Sequence, residues 1–119
     1  MKIAVTSQGT NLDSQVDPRF GRAAYILIVD TETLDFEVLD NKENVNAFKG
    51  AGIQAASMVS DKSAEALLTG YCGPKAFMTL EAAKIRVAND VEGTVEDAVK
   101  SFNEGKLSFA VKANVEGQW

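Results

Sequence analysis

The stretch Ala23–Asn41, AAYILIVDTETLDFEVLDN, decides the fold because it holds two strand patterns joined by a short polar connection. Its first part, AAYILIVD, is an almost unbroken apolar run and predicts a buried strand. Its last part, DFEVLDN, alternates apolar and polar residues around Phe36 and Val38, which is typical of a half-buried strand. Since only Thr31 to Leu34 separate the two, we predict an antiparallel hairpin.

The segments on either side of this hairpin predict a mixed α/β sheet. KIAVTS (Lys2–Ser7) precedes it as a short strand, and helix and strand patterns alternate after it: GIQAASMVSDK, AEALLTG, PKAFMTLEAAK, IRVAND and TVEDAVKSFNEG. The last helix has a Thr94–Asp97 capping pattern and ends at Gly105. We therefore predict a five-stranded sheet with an antiparallel hairpin edge, parallel later strands and helices on both faces.

Composition indicates one soluble domain over residues 1–119, with 45% hydrophobic residues to fill a core. The end from Leu107 to Trp119 fits an edge strand or a loose tail equally well, and Trp119 could also fold back over a site. One cysteine, no secretory signal pattern and no apolar run of the about 18–20 residues that span a bilayer lead us to expect a cytoplasmic protein. Without a coiled-coil pattern, we expect a monomer.

Charge and residue usage exclude several function classes. The net charge of −5 argues against sequence-independent nucleic-acid binding, which needs a basic surface. The chain has no histidine, which excludes His-based triads and His-rich metal sites. A single thiol cannot build a four-cysteine zinc site.

Glycines and cations gather where parallel strands are predicted to end. Ligands bind outside the carboxyl ends of such strands, and helix N-termini there favour anions. TGYCGPKA and FKGAG each lead into a helix, and RFGR precedes the second strand. The sequence therefore predicts an anion site formed by Arg19, Phe20, Gly21, Arg22, Lys49, Gly50, Gly52, Gly73 and Lys75.

Each of these elements also has a simpler interpretation. Arg19 and Arg22 could pair with Asp13 and Asp17 on a solvated loop, and the glycines could serve ordinary turns. Neither glycine motif is a dinucleotide fingerprint or a P-loop.

Cys72 has two interpretations. A lone cysteine is most often a small buried hydrophobe. However, Cys72 precedes a helix N-terminus and Lys75, an environment that lowers a thiol pKa, and thiolates bind soft metals. We therefore include Cys72 as a candidate metal ligand.

Four blocks, VDPRFGRAAYILIVD, KGAGIQAA, TGYCGPKAFMTLEAAKIRV and GTVEDAVKSFNEGKL, resemble the dinitrogenase iron–molybdenum cofactor biosynthesis family, which includes NifX, NafY and the C-terminal domain of NifB. The resemblance runs from residue 2 to about residue 107 with the blocks in order. It implies a ribonuclease H-like fold. Nuclease activity is not implied, since a two-metal nuclease needs clustered carboxylates and KIAVTS has none.

Within the family, VDPRFGR and YCGPKA look closest to short stand-alone members from sulfate-reducing bacteria that carry a molybdenum–copper sulfide cluster. Cofactor carriers commonly have histidine where this chain has Arg19, so the resemblance implies charge at that position rather than coordination. We expect a non-catalytic carrier of an anionic metal–sulfur cluster. The alternatives are a carrier of an iron–molybdenum cofactor precursor, or a metal-free regulatory module that binds a P-loop ATPase. An enzyme that acts on a small acidic or phosphorylated substrate is the weakest of the alternatives, because no nucleophile–base pair is evident in the sequence.

Overall fold

The computed structural model describes residues 1–42 and 50–111. Three consecutive strands come first in this part of the chain, and three helices then alternate with two further strands. In chain order they are β1 (Lys2–Ser7), β2 (Tyr25–Asp30), β3 (Phe36–Asp40), α1 (Ala51–Asp61), β4 (Ala66–Leu68), α2 (Pro74–Ala82), β5 (Arg86–Ala88) and α3 (Val95–Asn103). The predictions for Lys49 and Trp119 fall outside the described residues.

The strands form one sheet in the order β3-β2-β1-β4-β5. The hairpin is antiparallel, with Tyr25 opposite Asp40 and Val29 opposite Phe36, and β2 also pairs antiparallel with β1. β4 joins the other side of β1 in parallel, and β5 extends that parallel half. The predicted mixed five-stranded α/β sheet is confirmed, whereas the ribonuclease H-like relationship stays a prediction.

The sheet separates two apolar clusters, and the alternation of β2 shows how. Ile26 and Ile28 pack on the face that α1 and α2 cover, whereas Leu27 and Val29 pack on the face that α3 covers. All four are buried, and full burial of each such side chain contributes about 1.5–3 kcal/mol. The unbroken apolar run therefore belongs to a strand that is covered on both faces.

Helix α3 has the predicted termini. The Thr94 hydroxyl accepts a hydrogen bond from the Asp97 N–H at 3.0 Å, and the Asp97 carboxylate accepts one from the Thr94 N–H at 3.3 Å. This reciprocal capping box satisfies two N–H groups that a helix start leaves unpaired. Gly105, with φ +71°, follows the helix end in the left-handed conformation that glycine adopts without strain.

The described part of the C-terminal segment wraps around the outer edge of β5 without forming a strand. The Ala110 N–H donates to the Val87 carbonyl at 2.7 Å. Leu107 and Phe109 pack with the α3-side core, whereas Ala110 packs on the opposite side of the sheet. Over residues 107–111 this segment is packed against the domain without being a strand, and the prediction for residues 112–119 lies outside the described residues. None of the helices in the described part of the chain has the length and apolar character of a membrane span.

Candidate functional site

The predicted site residues that the structure describes, all of them except Lys49, lie at the edge of the sheet where β1 and β4 end. β1 ends at Ser7, opposite Tyr25 at the start of β2, so the intervening loop leaves and rejoins the sheet at the same edge. β4 ends at Leu68 beside β1, and the chain then runs into α2. We call the surface at this edge the rim and define it by residues 19–22, 50–53 and 71–75.

Two short segments of the rim pair with each other through an isolated parallel bridge between Arg19 and Tyr71. The Tyr71 N–H donates to the Pro18 carbonyl at 2.6 Å, and the Phe20 N–H donates to the Tyr71 carbonyl at 3.1 Å. Successive side chains in an extended segment point to opposite sides. Accordingly, Arg19 and Tyr71 lie on the exposed side, whereas Phe20 and Cys72 are fully buried in the core.

The same loop is pressed against the first turn of α1. Gly21 has φ +90°, and a Cβ built on it would lie 2.9 Å from both Cα and N of Gly52. The Asn41 side-chain amide holds the loop from the other side, donating to the carbonyls of Gly21 at 3.2 Å and Ala23 at 2.8 Å. Glycine at residues 21 and 52 therefore permits the contact that brings the arginine loop to a helix N-terminus.

Both helices that begin at the rim have glycine N-caps, and neither has a side-chain cap. α1 follows Gly50 and α2 follows Gly73, and neither helix has an acidic residue in its first turn. Helix α3 begins at the same edge of the sheet, outside the rim, and differs from both: it has its Thr94 cap and two acids, Glu96 and Asp97, in its first turn. The first turns of α1 and α2 therefore carry partial positive charge at the rim, and no acidic side chain in those turns offsets it.

Cationic side chains surround these helix starts. Arg19 keeps 53% of its side chain exposed, and Lys75 is exposed in the first turn of α2. Pairing of Arg19 with Asp17 is observed in part, because Nε lies 3.9 Å from the buried Asp17 carboxylate. At this distance the pair is long, and the half-exposed guanidinium stays accessible to solvent. Arg22 lies in the same turn, its N–H donating to the Arg19 carbonyl at 3.1 Å.

The expected lowering of the Cys72 pKa is wrong. Burial raises the pKa of this thiol to about 12, and its Sγ lies 3.8 Å from the Gly73 carbonyl oxygen inside the core. Side chains alternate along the extended segment that pairs with Arg19, so Cys72, which follows the exposed Tyr71, points into the core. There the loss of hydration disfavours the thiolate more than the helix start favours it. Phe20 is similarly placed: its side chain anchors the loop in the core, and only its backbone belongs to the rim.

Tyr71 was not among the predicted site residues, yet it is 41% exposed and pairs with Arg19. The signal was present in TGYCGP, since an aromatic residue next to a small buried one in an extended segment points the other way.

Among residues 1–42 and 50–111, no three Cys, Asp or Glu side chains are grouped in a way that would hold a metal ion. Cavities of about 330 and 320 Å³ lie elsewhere, beside β5 and beside the β2–β3 turn. The chemistry that the rim offers is that of an open cationic surface.

The sequence profile of a family described as "Dinitrogenase iron-molybdenum cofactor" matches residues 1–105. The chain belongs to this family. Its structure is similar to the apo form of the orange protein from Desulfovibrio gigas, at 47% identity and a TM-score of 0.93 over 96% of each chain. The predicted likeness to the orange protein within this family is confirmed.

Two further structures share the fold. A putative NifB protein from Thermotoga is 35% identical, with a TM-score of 0.83 over 98% of each chain. A putative dinitrogenase from Methanocaldococcus jannaschii, 18% identical, has a TM-score of 0.71 over 94% of this chain and 96% of that one, and shows the fold alone. A comparison with functionally curated proteins found no match.

Proposed function

We propose that this protein is a non-catalytic carrier that binds an anionic metal–sulfur cluster at the rim. The observation that carries the proposal is the position of Arg19, which is exposed, paired through its backbone with Tyr71, and part of a loop that contacts the first turn of α1. Membership of the cofactor family supports the class of ligand, because its description names an iron–molybdenum cofactor.

Charge and hydrogen bonds supply the binding energy in this proposal. Hydrogen bonds to charged groups contribute about 1.5–3 kcal/mol each, and a helix N-terminus adds about 0.3–1 kcal/mol for an anion. Arg19, Arg22 and Lys75, together with the partial positive charge at the starts of α1 and α2, therefore suffice for a multiply charged anion without a protein–metal bond. Phe20 contributes by anchoring the loop, and Lys49 keeps its predicted role in cluster binding.

A molybdenum–copper sulfide cluster is the cargo that we favour, because the VDPRFGR and YCGPKA blocks resemble members that carry one. The 47% identity to the orange protein supports that assignment. An iron–molybdenum cofactor precursor and a metal-free module bound to a P-loop ATPase are the outcomes that would replace it.

The test is an anaerobic titration of the apo-protein with tetrathiomolybdate and copper, followed by desalting, visible spectroscopy and metal analysis. We expect a coloured species with a fixed Mo:Cu:protein ratio. If both metals are removed by desalting while a molybdenum–iron cofactor precursor is retained, the precursor replaces copper and molybdenum as the cargo. If the protein stays colourless with either, the metal-free module is favoured.

A matched pair of double variants tests the role of charge. Arg19→Gln with Arg22→Gln removes two positive charges at the rim, and Lys100→Gln with Lys106→Gln removes two from exposed positions at the C-terminal end of α3 and just beyond it. We expect the rim variant to lose most cluster retention while unfolding at the same urea concentration as the control. Equal retention by the two variants would refute the charge mechanism.

Cys72 stays a predicted metal ligand, and substitution tests it separately. Because its thiol is buried and protonated, we expect the cluster spectrum of Cys72→Ser to match that of the unmodified protein. Loss of charge-transfer bands in that variant would restore the thiol as a ligand.

A further inference from the structure

We infer that Tyr71 makes the rim selective for sulfido anions over oxo anions of the same charge and shape. This inference deepens the proposed function and rests on it. It assigns to an aromatic side chain the discrimination that the arginines and helix N-termini cannot provide, since these attract any anion of suitable size.

The geometry places Tyr71 and Arg19 opposite each other on two paired extended segments. Their residues form the parallel bridge, so the two side chains leave the backbone on the same side. Hydrogen bonds on both sides of Tyr71, to Pro18 and from Phe20, fix its backbone. The ring is 41% exposed even though the next residue, Cys72, is fully buried. An anion bound at Arg19 is therefore within reach of the Tyr71 side chain, which leaves the backbone on the same side.

The first turn of α1 extends this apolar surface. Ile53 is 40% exposed and directly follows Gly52, which the arginine loop contacts through Gly21. The rim therefore includes two exposed apolar side chains, one from the Tyr71–Gly73 connection and one from the first turn of α1. A site for a fully hydrated anion gains nothing from such neighbours.

Dispersion and hydration together give the selectivity. Oxygen atoms of an oxo anion carry concentrated charge and strong hydrogen bonds to water, which an aromatic ring displaces without replacing. Sulfido atoms are large, polarisable and weakly hydrated, and they gain dispersion contacts with the ring, as sulfur does against aromatic rings in proteins. Contact with Tyr71 is therefore favourable for a sulfido face and unfavourable for an oxo face.

The experiment compares tetrathiomolybdate with molybdate, which share charge and tetrahedral shape and differ only in sulfur against oxygen. Equilibrium dialysis with molybdenum analysis measures both affinities with one readout. For Tyr71→Ala we expect about a tenfold loss of tetrathiomolybdate affinity, which corresponds to about 1.4 kcal/mol, and an unchanged or higher affinity for molybdate. Tyr71→Phe should behave like the unmodified protein, because the ring and not the hydroxyl provides the contact.

Met78 provides the control, since it is 68% exposed on α2 outside the rim, and Met78→Ala should alter neither affinity. If Tyr71→Ala lowers both affinities equally or neither, the selectivity inference fails while the proposed function stands. If Tyr71→Phe loses as much as Tyr71→Ala, the hydroxyl is responsible and the inference fails. If the unmodified protein binds neither anion nor any cluster, both fail together.

Discussion

Replacing Gly21 with alanine should destabilise the fold by more than its backbone conformation alone would cost. With φ +90°, any side chain at this residue is strained, at a cost of about 1–2 kcal/mol. The added Cβ would also lie 2.9 Å from backbone atoms of Gly52, which move only if α1 moves. Overpacking of this kind costs about 1–3 kcal/mol, so we expect a total of about 2–5 kcal/mol. That loss is a large fraction of the about 5–15 kcal/mol typical of whole domains.

Gly105→Ala is the matched control for this prediction. Gly105 also has positive φ, at +71°, but nothing lies within 4 Å of a Cβ built on it, so only the conformational cost of about 1–2 kcal/mol applies. Urea unfolding followed by circular dichroism, analysed with one shared m-value, gives both free energies. Equal losses in the two variants would refute the claim that contact between the loop and α1 constrains residue 21.

Further predictions concern the capping box, the thiol and the C-terminal segment. Thr94→Ala removes the hydroxyl that accepts from the Asp97 N–H at 3.0 Å, and should lower the urea midpoint by the equivalent of about 1 kcal/mol; an unchanged midpoint would mean that the cap contributes nothing. Cys72, with its pKa raised from 9.0 to about 12, should resist thiol reagents at pH 8 until urea unfolds the protein, and rapid native labelling would contradict its burial. Because only the unfolded thiol ionises between about pH 9 and pH 12, unfolding free energy should fall more steeply over that range than in Cys72→Ser, and parallel curves would contradict the shift. Ala110→Pro removes the N–H that donates to Val87 at 2.7 Å, and should accelerate amide hydrogen exchange along β5; unchanged exchange would show that the segment does not protect this edge.

Local patterns were enough to predict most of the fold. The hairpin connection from Thr31 to Leu34 and the Thr94–Asp97 capping box both depend on residues that are near one another in sequence, and both were found as predicted. Each helix and strand was found at its predicted place in the chain, although β2, β4 and β5 are shorter than the segments AAYILIVD, AEALLTG and IRVAND. The mixed sheet follows once these elements must cover one another's apolar faces.

The candidate site was harder to predict because its geometry depends on contacts between distant residues. Arg19 and Tyr71 pair across a long sequence separation, and only this pairing reveals that Cys72 points inward and Tyr71 outward. The helix-start argument for a lowered thiol pKa used the right neighbours but had no information on side-chain direction. The sequence did predict that the arginine loop and two helix starts share one edge, and that convergence is found through Gly21 and Gly52.

Because of the Arg19–Tyr71 bridge, a mutation that shifts the loop along the sequence affects the rim and the core together. Along this loop, adjacent residues serve opposite purposes: Arg19 is exposed at the rim, and Phe20, the next residue, fills the interior. Inserting or deleting a single residue before position 19 would reverse the assignment, burying a guanidinium and exposing a phenyl ring. Such a change would remove ligand recognition and folding stability in one step. Substitutions, which preserve the spacing, are therefore the route by which relatives with this loop can change what they bind.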